Sequence, residues 1–64
     1  MKQVQVVKYR NYTIIINQVI SARFGSLYLA SNDYGEPVNT ETYWQSSSRA
    51  IEEEKKILDS MIDQ

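Results

Sequence analysis

The sequence predicts an α+β fold: a small, mainly antiparallel sheet of three to four strands followed by one C-terminal helix packed on one face. Three observations carry that prediction. Alternating or β-branched runs come first: "QVQVV", "YTIIIN" and "VISARFGSLYLAS". A three- and four-residue apolar spacing takes over only after Arg49, in "AIEEEKKILDSMI". With 64 residues, the chain has room for one core, so residues 1–64 form a single domain.

The first strand, residues 3–8, places Val4 and Val6 on one side. Arg10-Asn11 then reads as a tight turn or a bend, since asparagine tolerates the left-handed backbone that short hairpins need, and the pattern fits a hairpin or one long bent strand equally. Residues 12–17 are β-branched almost throughout and make the strongest strand. Asn17-Gln18 offers a second turn, and a long third strand follows over 19–31. Within it Ile20, Ala22 and Phe24 share a face before Gly25, and Leu27 and Leu29 share one after it. A β-bulge at Gly25-Ser26 would absorb that one-residue shift and keep both sets inward. "SNDYGEP" is a loop, and the Thr-rich segment 37–44, with Pro37 at its mouth, is expected as an edge strand. "SSS" supplies N-caps for a helix over 47–62, whose Glu52–Glu54 followed by Lys55-Lys56 suits the helix dipole.

One helix covers one face of a sheet. The side expected under it holds Tyr12, Ile14, Ile16, Ile20, Ala22, Phe24, Leu27, Leu29, Val38 and Trp44. Ile15, Val19, Tyr28 and Tyr43 then fall on the face that nothing in the chain covers. Glu54 lies near the centre of the helix's apolar arc, where an unpaired buried carboxylate would cost several kcal/mol. The expectation is that the helix overhangs the sheet there and leaves Glu54 in water. The other outcome is pairing with a tyrosine hydroxyl or a cation from the sheet, Arg10 or Arg23.

Composition narrows the chemistry. The chain has no cysteine and no histidine, which removes disulfides, thiolate nucleophiles, the commonest general base and the commonest transition-metal ligands. "SNDYGE" lacks the spacing of a calcium loop, and no phosphate-binding loop or nucleophile elbow is present. The acids Glu36, Glu41 and Glu52–Glu54 read as a solubilised edge strand and a solvated helix start. No enzyme, catalytic residue, metal or cofactor is expected. "QVQVV" after Met1-Lys2 is too short and polar for a signal peptide's apolar core, and no stretch approaches a membrane span, so a cytoplasmic location is expected.

The string "YRNYTI", carrying Tyr9, Arg10, Tyr12 and Ile14, and the closing helix with Ala50, Ile51 and Ile57 resemble features of small bacterial and cyanobacterial proteins of unknown function. Those proteins open with a Tyr-Arg-x-Tyr-x-Ile strand and close with an amphipathic helix. The resemblance implies the same fold and carries no catalytic residue across. The strand–strand–strand–helix order is also similar to integrase arm-type DNA-binding domains, which look strongly basic where this chain is not.

Two binding functions remain. The net charge of −1 divides into +4 over residues 1–24 (Lys2, Lys8, Arg10, Arg23) and −5 over residues 25–64. Lys8, Tyr9, Arg10, Tyr12 and Arg23 interleave cations with aromatic rings, the chemistry that holds phosphates and stacks single-strand bases. A pI of 5.2 works against it, since an acidic chain gains little from counterion release. The favoured expectation is a non-catalytic module, of regulator or inhibitor type, that docks a protein or a second copy of itself on the open face. It would act through Ile15, Val19, Tyr28 and Tyr43, with Arg10 and Arg23 at the rim.

Overall fold

A computed structural model describes residues 2–35 and 42–64. Among them the order is β1 (Lys2–Tyr9), β2 (Tyr12–Ser21), β3 (Gly25–Asn32) and α1 (Ser47–Ile62). The strands form an antiparallel sheet in the order β1-β2-β3, and the C-terminal helix packs on it.

Arg10 and Asn11 make the first turn between the paired Tyr9 and Tyr12, with φ of 50° and 69°. Two consecutive left-handed residues match the type I′ loop that suits the twist of a two-residue hairpin. β2 then runs without a break through Asn17-Gln18, which corrects the turn expected there. Asn17 pairs with Gln3 and Leu29, and Gln18 with Lys2 and Tyr28. The Gln18 side chain donates from Nε2 to Ser26 Oγ at 3.1 Å, so a polar pair that reads as a turn is held inside a strand.

The reversal comes later, at residues 22–24. Ser21 Oγ accepts hydrogen bonds from the backbone N–H groups of Arg23 (3.2 Å) and Phe24 (3.1 Å). Gly25 closes the loop opposite Ser21 at φ 76°. The expected strand over 19–31 is therefore two strands of a hairpin, and Gly25 opens β3 rather than forming a bulge within one strand. The sheet's irregularity lies instead between Gln3 and Gln5 in β1.

That hairpin sets the faces. Ile14 pairs with Asn32, Ile16 with Ala30 and Gln18 with Tyr28, so the even-numbered residues of β2 and β3 point toward the helix. The expected inward placing of Leu27 and Leu29 is overturned: they lie on the opposite face. Ile20 is on the helix side by register but 73% exposed, and Phe24, in the turn, is 59% exposed, because α1 packs over the other end of the sheet. Val38 and most of the expected 37–44 strand lie outside the described residues. At the segment's end, Trp44 forms a bridge with Tyr28 through paired backbone hydrogen bonds of 2.7 and 2.8 Å.

The core is small. Ile14 and Ile16 from β2 meet Ala50 and Leu58 from α1, all four fully buried, with Val7, Tyr12, Tyr28 and Trp44 packed around them. Ser46 caps α1, its Oγ accepting from Arg49 N at 3.1 Å. The first turn carries no acid, contrary to the dipole-matched start read from Glu52–Glu54. The buried stripe of the helix is Ala50, Glu54 and Leu58, one residue per turn.

Glu54 is thus at the centre of that stripe, 8% exposed, and the expected overhang is corrected. Its Oε1 accepts a 2.7 Å hydrogen bond from Asn32 Nδ2, and Asn32 Oδ1 accepts from Tyr34 N at 2.9 Å. The partner is a neutral amide at the end of β3, not Arg10, Arg23 or a tyrosine hydroxyl.

Candidate functional site

The helix-free face is built by the odd-numbered residues of β2 and β3 and their partners in β1. Val6 faces Ile15, Ile15 faces Ser31, Asn17 lies between Gln3 and Leu29, and Val19 faces Leu27. Val6, Ile15, Val19, Leu27 and Leu29 form an aliphatic surface running across all three strands. Ile15, Val19, Leu27 and Leu29 are half-buried, and Val6 is 50% exposed. Charge lies at one end of this face: the Asp33 carboxylate accepts from Thr13 N at 2.8 Å, and Lys8 is paired with Thr13. Lys8 sits near the Arg10-Asn11 turn and donates from Nζ to Thr13 Oγ1 at 2.8 Å.

Of the residues the sequence singled out, the structure brings Ile15 and Val19 together on this face. Tyr28 is corrected to the helix side, where it packs on the core beside Trp44. Tyr43 is exposed and lines a shallow cleft with Trp44, Gln45, Ser46 and Arg49 at the start of α1. The two rim arginines stand at the turns that end β2, on the order of 30 Å apart for a strand of ten residues. Val6, Leu27 and Leu29 were not among the expected site residues. The signal for the two leucines was present in Ser21 and Gly25, a hydroxyl and a glycine four residues apart that fit a short hairpin loop.

Arg10 does not form a free rim. Its guanidinium binds Asp59 at 2.9 Å and Asp63 at 3.0 Å, at the last turn of α1. A cation is favourable there because the helix's terminal carbonyls and both acids are negative. Tyr9 OH donates to both Asp59 carboxylate oxygens at 2.9 Å, and the Lys55 ammonium lies 5.3 Å from the Tyr9 ring centre. Hydrogen bonds from Arg10 and then Tyr9 hold the Asp59 carboxyl below its ordinary 3.8, against a smaller opposing effect of burial. The bond to Asp59 raises the Tyr9 phenol above its ordinary 10.0, with burial adding to it. Arg10 is pushed further into its charged form by Asp63 and Asp59.

The interleaved basic and aromatic set is dispersed by the same geometry. Lys8 is on the helix-free face, while Tyr9 and Arg10 are engaged with α1. Tyr12 packs edge-on against Tyr34 at 5.1 Å, and Arg23 stacks over Phe24 at the far turn. Among the described residues, no three acids converge in a way that suits a metal ion, and no helix is long and apolar enough to cross a membrane.

Compared with known proteins, the chain matches no family model, no curated protein and no solved structure. What it offers on its own is a largely aliphatic sheet face, charged only toward its Thr13 end, and an ion-pair network that ties the first hairpin to the end of the helix.

Proposed function

We propose that this chain is a non-catalytic protein-binding module, of regulator or inhibitor type, whose working surface is the helix-free face of the sheet. The observation that supports this is the register of β3, which lines Leu27 and Leu29 up with Val19, Ile15 and Val6. Five aliphatic side chains on one face resemble the apolar part of an interface, with Asn17 among them between Ile15 and Val19 and Gln3, Thr13, Ser21 and Ser31 around them. A non-catalytic role agrees with where the perturbed ionisations lie. Arg10 shifts through its bonds to Asp63 and Asp59, Asp59 through Arg10 and Tyr9, and Tyr9 through Asp59, so the helix end they fix is a structural junction.

The test is capture from native lysate in the presence of nuclease, together with sedimentation of the purified chain. Wild type and Ile57→Lys, a change on the exposed side of α1 where Ile57 is 46% exposed, should retain a protein partner, whether foreign or the chain itself. Leu29→Lys should lose it while keeping its circular dichroism. Binding that ignores Leu29→Lys, or that disappears with nuclease, would overturn the proposal.

A further inference from the structure

We infer that the end of the β2–β3 hairpin docks on an anionic lipid surface, with Ile20 and Phe24 entering the headgroup boundary and Arg23 and Lys2 lying among the phosphates. The inference goes beyond the open-face reading, because it concerns the end of the sheet and a different class of partner. Ile20 is on the helix side by register yet 73% exposed, and Phe24 in the turn is 59% exposed. Ala22 between them is exposed too, and Val19 and Leu27 form the opposite side of the same end. A flat protein surface laid on one side of this hairpin leaves the other side wet. A bilayer boundary surrounds a projecting end on both sides at once.

The loop backbone is suited to entry. Ser21 Oγ accepts from the N–H groups of Arg23 and Phe24, and Gly25 is paired with Ser21. Donors satisfied within the loop lose no water when they leave it.

Charge selects an anionic surface over a neutral apolar one. Residues 1–32 contain no acid. Lys2 opens β1 opposite Gln18, at the hairpin end of the sheet. The Arg23 guanidinium lies 5.3 Å from the Phe24 ring centre, so cation and apolar ring are presented together. The described acids stand elsewhere. Asp59 and Asp63 bind Arg10, and Asp33 bonds Thr13, on the order of 30 Å away along β2. Glu54, held by Asn32, is level with Ile14, about 20 Å from Ile20, and Glu52 and Glu53 precede it directly in α1. Both separations exceed the screening length of about 8 Å in physiological salt, so among the described residues nothing opposes the two cations. Two cations and two inserted side chains give a reversible attachment, which each of them should weaken when removed.

Co-sedimentation of the full chain with phosphatidylcholine vesicles, with and without about 30% phosphatidylglycerol, tests this. Wild type and Ile57→Ser, which removes an exposed apolar side chain from α1, should bind the anionic vesicles alike and the neutral ones far less. Phe24→Ser should weaken binding about tenfold or more and Arg23→Gln about fivefold, both with wild-type circular dichroism. In wild type, a spin-labelled lipid should broaden the amide signals of residues 20–25 before those of Asn11 and Asp59. No binding to anionic vesicles in low salt, equal binding to neutral ones, or broadening centred away from the hairpin end would each overturn the inference. So would binding that ignores Phe24→Ser. A chain that ignores vesicles but loses a captured protein on Phe24→Ser would replace the lipid with a protein pocket. Capture lost only on Leu29→Lys bears on the open face alone, so the two readings fail separately.

Discussion

Removing either partner of the Glu54–Asn32 bond should damage the fold more than removing both would lead one to expect. Glu54 is 8% exposed and its Oε1 stands 2.7 Å from Asn32 Nδ2. A hydrogen bond to a charged group contributes about 1.5–3 kcal/mol, and a buried polar group left without its partner costs about 1–3 kcal/mol. Asn32→Ala should be the worse single change, because it strands the carboxylate and also removes the acceptor for Tyr34 N. Glu54→Leu gains apolar burial but orphans the Asn32 amide, so it should destabilise by about 1–2 kcal/mol rather than stabilise. In the double variant the two losses should fail to add, with a coupling of about 1.5–3 kcal/mol. Urea unfolding at pH 7, followed by far-ultraviolet circular dichroism with an excluded osmolyte to keep the weakest variant folded, measures all four corners. A Glu54→Leu chain more stable than wild type, or a coupling under about 0.5 kcal/mol, would refute the pairing and restore a solvated Glu54.

Three other outcomes follow from the structure. Because the Asp59 carboxyl is held below its ordinary value in the fold, its contribution is present above the unfolded value of 3.8 and is lost as pH falls through the lower folded value. Tyr9, raised in the fold, contributes below the unfolded value of 10.0 and loses that contribution as pH rises through the higher folded value. Stability measured against pH should therefore fall at both ends. Tyr9→Phe should flatten the alkaline side and weaken the acid one, and an unchanged profile would count against the network. Gly25→Ala should cost about 1–2 kcal/mol for its left-handed backbone, and nothing for sterics, since a Cβ there meets no atom within 4 Å. A loss below about 0.5 kcal/mol in the same urea assay would exclude that backbone conformation.

Much of the fold was legible because some signals admit one interpretation. The helix announces itself through Ala50, Leu58 and Met61 recurring at helical spacing behind a serine cap, and its bounds, Ser47–Ile62, follow. Ile14 and Ile16 were readable as a pair on one side of the strongest β-branched run, and grouping them with Tyr12 placed that side under the helix. The third strand was not legible to the same degree. A period of two states that residues alternate but not which set is inside. Assigning the leucines inward was the natural hydrophobic choice, and the structure refuses it. The inward positions hold Tyr28, which joins Trp44, and Asn32, which meets Glu54. Both belong to contacts distant in sequence. The site followed from that parity: Ile15 and Val19 were identified from their own strand, while Leu27 and Leu29 became visible only once the chain was seen to turn at residues 22–24. Arg10 was misplaced for a related reason. As part of a turn it looked free, and only the folded helix end brings Asp59 and Asp63 to it.

The central claim is that Leu27 and Leu29 share an uncovered face with Ile15 and Val19, and that this face binds. Methyl NMR with a soluble paramagnetic agent, read without and then with a protein partner retained in the capture experiment, addresses both halves. In the free chain the Leu27, Leu29, Ile15 and Val19 methyls should relax far faster than those of buried Ile14, Ile16 and Leu58. With the partner bound, those four should become protected together while exposed Ile57 does not change. Leucine methyls as shielded as Ile14 in the free chain would contradict the register, and a face that stays open with the partner bound would contradict its role as the binding surface.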